Sequence, residues 1–125
     1  MPKATILFAE DDEVLRGIYM KKFTGADYAV VPATNGEEAI SLIEKSPPDL
    51  LVLDINMPKV DGFQVLEHFP KENRKYPIIL LTNYDSDEIR TRGKELGADD
   101  FFVKKDMTIK SLIEMTENLL KKNQA

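Results

Sequence analysis

The chain has 125 residues, 42% hydrophobic and 31% charged, the balance of one globular domain with enough apolar side chains to bury a core. Its 17 basic and 22 acidic side chains give a formal net charge of -5, which offers no electrostatic reason for direct nucleic-acid binding, since phosphate backbones demand a basic face. Cysteine is absent, which excludes disulfides and thiolate chemistry, and no apolar run approaches the length of a membrane span or a signal-peptide core. A cytoplasmic domain with no membrane contact is the expectation.

In chain order, residues 4–9 form a short apolar run, read as a first buried strand. It breaks into Glu10-Asp11-Asp12-Glu13, where Asp12 suits an N-cap and Glu13 a first helical turn. Val14, Leu15, Ile18, Tyr19 and Phe23 then recur at helical spacing up to Gly25. Residues 28–31 make a weaker second strand at an edge, followed by Pro32 and Ala33 with nothing reactive. Asn35-Gly36 reads as a turn before a helix opened by Glu37 and Glu38, and Pro47-Pro48 ends that helix.

Residues 49–53 read as a third strand, whose branched apolar run from Leu50 to Leu53 drives toward Asp54, and Pro58 stops it. Pro58 and Gly62 frame a loop, Phe63, Leu66 and Phe69 suggest a short helix, and residues 70–76 read as a polar connection. Residues 77–82 form a fourth strand; Ser86 caps a helix running to about Leu96, with Gly97 at its C-cap. The apolar content of that helix is thin, Ile89 and Leu96 with Gly93 between them, as in a helix loosely packed or reserving a face for a partner. Residues 101–103 are a fifth strand ending at Lys104, and Thr108 caps a last helix with the stripe Ile109, Leu112, Ile113, Thr116, Leu119 and Leu120.

Five strands alternating with five helices predict one α/β domain over residues 1–125. The expected fold is flavodoxin-like, a doubly wound, three-layer arrangement around a parallel sheet in the order 2-1-3-4-5. In that order the carboxyl ends of the first, third, fourth and fifth strands lie side by side, carrying Glu10-Asp11, Asp54, Thr82 and Lys104. A carboxylate at the end of a buried strand needs a partner that neutralises it or reacts with it. Three crowded acids need a cation; Lys104 supplies one charge, and Mg2+, which takes oxygen ligands and few carboxylates, suits the remainder. A carboxylate can itself attack phosphorus to form an aspartyl-phosphate, with metal, lysine and hydroxyl neutralising the transferred group. Asp54 is then the acceptor, Glu10 and Asp11 serve the metal, and Lys104 and Thr82 take the phosphoryl oxygens. His68, the only histidine, reads as a solvated side chain.

These residues resemble the receiver domain of bacterial two-component response regulators, the fold of the chemotaxis response regulator. The likeness covers essentially the whole chain and rests on residues 6–12 with Glu10-Asp11-Asp12, residues 48–58 with Asp54 and Pro58, Asp61-Gly62, Leu80-Leu81-Thr82 and residues 97–104. It implies a phosphorylation-activated switch without an output domain: Asp54 receives a phosphoryl group from a histidine kinase or histidine phosphotransfer protein. It implies that Asp11, Asp54 and the backbone carbonyl of Asn56 bind Mg2+, Glu10 through water. Thr82 is the implied switch hydroxyl, Lys104 pairs with the phosphoryl group, and Phe101 fills the aromatic switch position. The output is a downstream protein bound to the face of the fourth helix, fifth strand and fifth helix.

Three positions depart from the family pattern. Lys105 follows Lys104 where proline in a cis peptide is usual, and a cis bond without proline costs about 3 kcal/mol. Phe101 stands where tyrosine is usual, and Asn83 where a small residue is usual. Tyr84, two residues past Thr82, falls at the pocket mouth and is a candidate influence on hydrolysis. Two rival readings remain: a degenerate receiver acting as an interaction module, and an aspartyl-nucleophile phosphatase, which Asn56 in place of a second acid and the short chain disfavour.

Overall fold

In a computed structural model describing residues 2–124, the apolar runs become strands β1 (Thr5–Ala9), β2 (Ala29–Ala33), β3 (Leu50–Asp54), β4 (Ile78–Thr82) and β5 (Asp100–Val103). Between them lie helices α1 (Glu13–Gly25), α2 (Gly36–Lys45), α3 (Gly62–His68), α4 (Asp87–Glu95) and α5 (Ile109–Gln124). The sheet runs β2-β1-β3-β4-β5 with every pair parallel, the flavodoxin-like order expected from the alternation.

Every residue of β3 and β4 is buried, because helices cover both faces of a parallel sheet. On one face Ile6, Phe8, Val52 and Phe102 cluster with Tyr19 and Phe23 of α1 and Leu112 of α5. On the other, Leu7, Leu53, Leu80 and Phe101 cluster with Ile43 of α2, Leu66 of α3 and Ile89 of α4. The two-residue alternation of each strand divides the layers.

Local chemistry sets the ends of the elements. Asp12, Asn35, Asp61 and Ser86 each cap a helix by accepting a backbone N–H. Asp61 and Gln64 form a reciprocal capping box, whose Asp-x-x-Gln signal stands in the sequence within the stretch read as a loop. Gly36 belongs to α2 rather than to a preceding turn, and a Cβ there would collide with the carbonyl oxygen of Val60. β2 runs on through Pro32 to Ala33, longer than the pattern suggested. An edge strand tolerates proline because one side has no ladder to complete.

The connection read as polar contains a 3-10 turn (Lys71–Asn73) and a buried arginine, Arg74, whose ion-pair partner Asp99 is half-buried. The Arg74 side chain is only 3% exposed. It donates to the carbonyls of Phe69, Tyr76 and Gly97 and meets Asp99 at 3.2 Å, which also accepts the Ile78 N–H at 2.8 Å. The loops entering β4 and β5 are thereby held together at the end of the sheet opposite Asp54.

Tyr76, beside this pair, has a buried hydroxyl with no hydrogen-bond partner among the described residues, and burial pushes its pKa up to about 12. Removing an unpaired buried hydroxyl removes a desolvation cost. Tyr76→Phe is therefore expected to stabilise the protein by about 1 kcal/mol, seen as a higher urea midpoint at unchanged slope. A lower midpoint would show that the hydroxyl has a partner, such as a buried water.

Candidate functional site

β1 and β3 are neighbours whose outgoing connections leave toward opposite layers, so a crevice opens at their carboxyl ends. Asp54, the last residue of β3, and Glu10, the residue after β1, sit there with 2% and 0% exposure. The Lys104 ammonium, from just beyond β5, lies 2.9 Å from Asp54 Oδ2 and 2.7 Å from Glu10 Oε1. Among the described residues it is the only partner of that Glu10 oxygen. Glu10 Oε2 accepts the Asp12 N–H at 3.2 Å, and Asp54 Oδ1 accepts the Asn56 N–H at 3.2 Å. One ammonium thus serves two buried acids.

Asp11 is exposed at the crevice rim, and one carboxylate oxygen from each of Glu10, Asp11 and Asp54 lies within 4.8 Å of the others. An all-oxygen cluster with excess negative charge is the donor set of a hard divalent cation, and the residues fit Mg2+ in that chemical sense. Burial pushes the Glu10 pKa up to about 7; the hydrogen bond and charge of Asp54 add to this, and Lys104 opposes it. The Asp11 pKa is raised too, by burial and by neighbouring Glu10. For Lys104, burial works against the charge, but the hydrogen bonds and charges of Glu10 and Asp54 outweigh it and raise its pKa. At neutral pH Glu10 is therefore near half-protonation while Lys104 stays charged.

The turns that carry these groups are fixed by contacts the sequence did not announce. Arg16 of α1 donates to the carbonyls of Glu10 at 2.9 Å and Asp11 at 3.3 Å, holding the acidic turn from the backbone side. Gly62 lets α3 start against β3: a Cβ there would lie 2.6 Å from the Asp54 carbonyl oxygen.

The residues expected to switch are arranged differently from the carboxylates. Thr82, at the end of β4, is buried, and its hydroxyl donates to the Tyr84 carbonyl at 3.0 Å while accepting the Tyr84 N–H at 3.2 Å. It is engaged with its own loop and makes no bond to Asp54. Phe101 already packs inward at 8% exposure. With no hydroxyl to hydrate, its ring gains by burial, and Gly93 of α4 makes room, since a Cβ there would come within 2.9 Å of the ring. The Lys104–Lys105 bond is trans, as no cis peptide occurs among the described residues, yet Lys104 still reaches both acids. Asn83 is half-buried beside Thr82, and Tyr84 is 63% exposed with the Lys105 ammonium 4.6 Å from its ring centroid. His68 pairs with Glu44 of α2 at 3.5 Å and contributes nothing to the crevice.

Fold and crevice together define a class: a doubly wound α/β domain with an acidic, lysine-bridged pocket at its topological switch point. The sequence matches the response regulator receiver domain over residues 6–117, and the chain belongs to that family of two-component signalling domains. It is 39% identical over 122 residues to the probable transcriptional regulator ycf27 of Cyanophora paradoxa, covering 93% of this chain and 51% of that protein. It is 36% identical over 99 residues to the alkaline phosphatase synthesis transcriptional regulatory protein PhoP of Bacillus subtilis (strain 168), covering 79% and 41%. The chain spans about half the length, or less, of these curated relatives. Among solved structures, the Francisella response regulator 1452 receiver domain superposes with a TM-score of 0.90 at 32% identity, covering 96% of this chain and 98% of that one. The Vibrio cholerae chemotaxis protein CheY4 superposes at 0.85 with 28% identity, covering 93% and 98%. No helix among the described residues is long and apolar enough to cross a membrane.

Proposed function

We propose that Asp54 is the phosphoryl acceptor of this receiver domain and that its modification switches the protein's contacts with a partner. The observation that carries the reading is a buried carboxylate at the switch point, held 2.9 Å from a lysine and within 4.8 Å of two further acids. The donor is an N-phosphohistidine of a histidine kinase or histidine phosphotransfer protein. An Asp54 carboxylate oxygen forms the bond to phosphorus, the phosphorus–nitrogen bond breaks, and the departing imidazole nitrogen takes up a proton. Lys104, released from Asp54, pairs with a phosphoryl oxygen, and Thr82 gives up its bonds to Tyr84 to donate to another. Asp11, Asp54 and the Asn56 carbonyl would hold Mg2+, with Glu10 acting through water. Bound there, the metal would neutralise charge on the transferred group.

The output is read as protein contact at α4, β5 and α5. Only Gly93 of α4 is buried, and the guanidinium groups of Arg90 and Arg92 lie 5.3 Å and 4.3 Å from the Phe101 and Phe63 ring centroids. With Ile89 its one aliphatic side chain packed on the core and these cation–π contacts beside it, α4 is lightly anchored and shifts at small cost. The relatives named as transcriptional regulators are longer chains, and the net charge of -5 gives this one no independent reason to bind DNA.

Intact mass after incubation with Mg2+ and acetyl phosphate tests the chemistry. Wild type is expected to gain one phosphoryl adduct and Asp54→Asn none. An adduct of equal yield on the variant would move the acceptor elsewhere, and none on either protein, with any kinase tried, would leave the interaction-module reading.

A further inference from the structure

The Thr82 hydroxyl is held away from Asp54 by a reciprocal pair of hydrogen bonds to the Tyr84 backbone. Any movement of that hydroxyl toward the pocket requires this local ring to open. The Tyr84 side chain gives the ring no help from the core, being 63% exposed. Its stacking partner is Lys105, 4.6 Å from the ring centroid. Lys105 follows Lys104, whose backbone N–H donates to the Thr82 carbonyl at 2.8 Å and whose ammonium bridges Glu10 and Asp54. The loop after β4 is thus tied to the loop after β5 on both sides of Thr82, by a backbone bond inside and a cation–π contact outside.

We propose that Lys105 and Tyr84 form a latch that holds the Thr82 hydroxyl in its outward position and so sets how readily the pocket engages a phosphoryl group. The inference rests on the reading of Asp54 as acceptor for its consequence, but not for the latch itself. Lys105 is a positioning residue: it touches neither acid, and it acts through Tyr84 on Thr82. An exposed cation–π contact shifts an equilibrium by about two- to fivefold, so the latch tunes the switch without blocking it.

Two measurements test this. In the free protein, amide hydrogen exchange at Tyr84 reports opening of the ring, because that N–H is protected by Thr82 Oγ1. Lys105→Met, which keeps the stem and removes the charge, is expected to speed this exchange about two- to fivefold. Tyr84→Leu should do the same at its own amide, the pair combined no more than either alone, while Lys105→Arg and Tyr84→Phe stay near wild type. In the presence of Mg2+ and fluoroberyllate, a phosphoryl mimic, the two latch-breaking variants should bind the mimic more tightly by the same factor, with unchanged thermal midpoints. Unchanged exchange in Lys105→Met, or additive effects in the double variant, would overturn the latch. Altered exchange without any fluoroberyllate binding by wild type would instead keep the latch and sink the phosphoryl-acceptor reading.

Discussion

The Lys104→Met protein is expected to lose about 3 kcal/mol of stability at pH 8 without magnesium, and distinctly less at pH 5.5. Lys104 Nζ sits 2.7 Å from Glu10 and 2.9 Å from Asp54, both almost fully buried. Methionine replaces the stem but leaves two carboxylates facing each other with no counter-charge. Truncating one partner of a buried ion pair is costly chiefly because the other charge is stranded. The two acids have one escape, which is to bind a proton. Burial and Asp54 already bring the Glu10 pKa up to about 7 with Lys104 opposing them, so losing the lysine moves it higher. At pH 5.5 Glu10 is then neutral and can donate to Asp54, which restores a hydrogen bond where the ion pair was. Urea unfolding at the two pH values reads the difference. Adding Glu10→Gln to Lys104→Met should recover most of the loss at pH 8, and equal losses at both pH values would show that the acids are not coupled. The exposed Arg90–Asp85 pair, 2.5 Å apart with side chains 39% and 56% exposed, provides the contrast. Its removal should cost no more than about 0.5 kcal/mol.

That the carboxylates and the lysine converge was legible from strand order alone. Short apolar runs alternating with helical segments form a parallel sheet whose carboxyl ends share one edge, and four of the five runs end beside a polar side chain. Strand order therefore brings Glu10, Asp54, Thr82 and Lys104 together without any distance. The Thr82 hydroxyl was also placed at that edge, but its engagement with Tyr84 was not legible, because a hydroxyl's partner depends on rotamer and loop path. The same holds for Lys105 over Tyr84: each residue lies in a loop, and neither pattern nor propensity fixes how two loops approach. The burial of Arg74 is not legible in the sequence, because it sits in a polar stretch where burial of a charge is the less common outcome. Its partner Asp99 is 25 residues away. Gly36 and Gly62 were seen as turn residues, whereas their role is to admit another segment's backbone. Sequence periodicity shows which face is covered, and not how closely.

Magnesium is expected to bind about tenfold more weakly at pH 6 than at pH 8, with Glu10 responsible. Its folded pKa of about 7 lies above its ordinary 4.5, so between those values the folded, metal-free protein binds more protons than the unfolded chain. The contribution of this group to stability is therefore greatest at or below about pH 4.5, falls as pH rises, and levels off above about pH 7. A cation bound among Glu10, Asp11 and Asp54 reverses the trend, because it favours the ionised acids and competes with the proton. At pH 6 roughly one Glu10 in ten is ionised, and at pH 8 roughly nine in ten, which sets the tenfold ratio if the metal requires the carboxylate. Calorimetric titration at the two pH values measures it, and the rise in thermal midpoint at fixed magnesium should follow, because ligand binding stabilises by mass action. Glu10→Gln cannot lose a proton in this range and should flatten the ratio to near unity. A variant that still shows the tenfold change would assign the competing proton to another group, with Asp11, whose pKa is also raised by burial and by Glu10, the next to test. Burial and the neighbouring Asp54, which raise the Glu10 pKa against the opposing pull of Lys104, thus make a bound metal compete with a proton, and the metal-free and metal-bound proteins separate by their opposite dependence on pH.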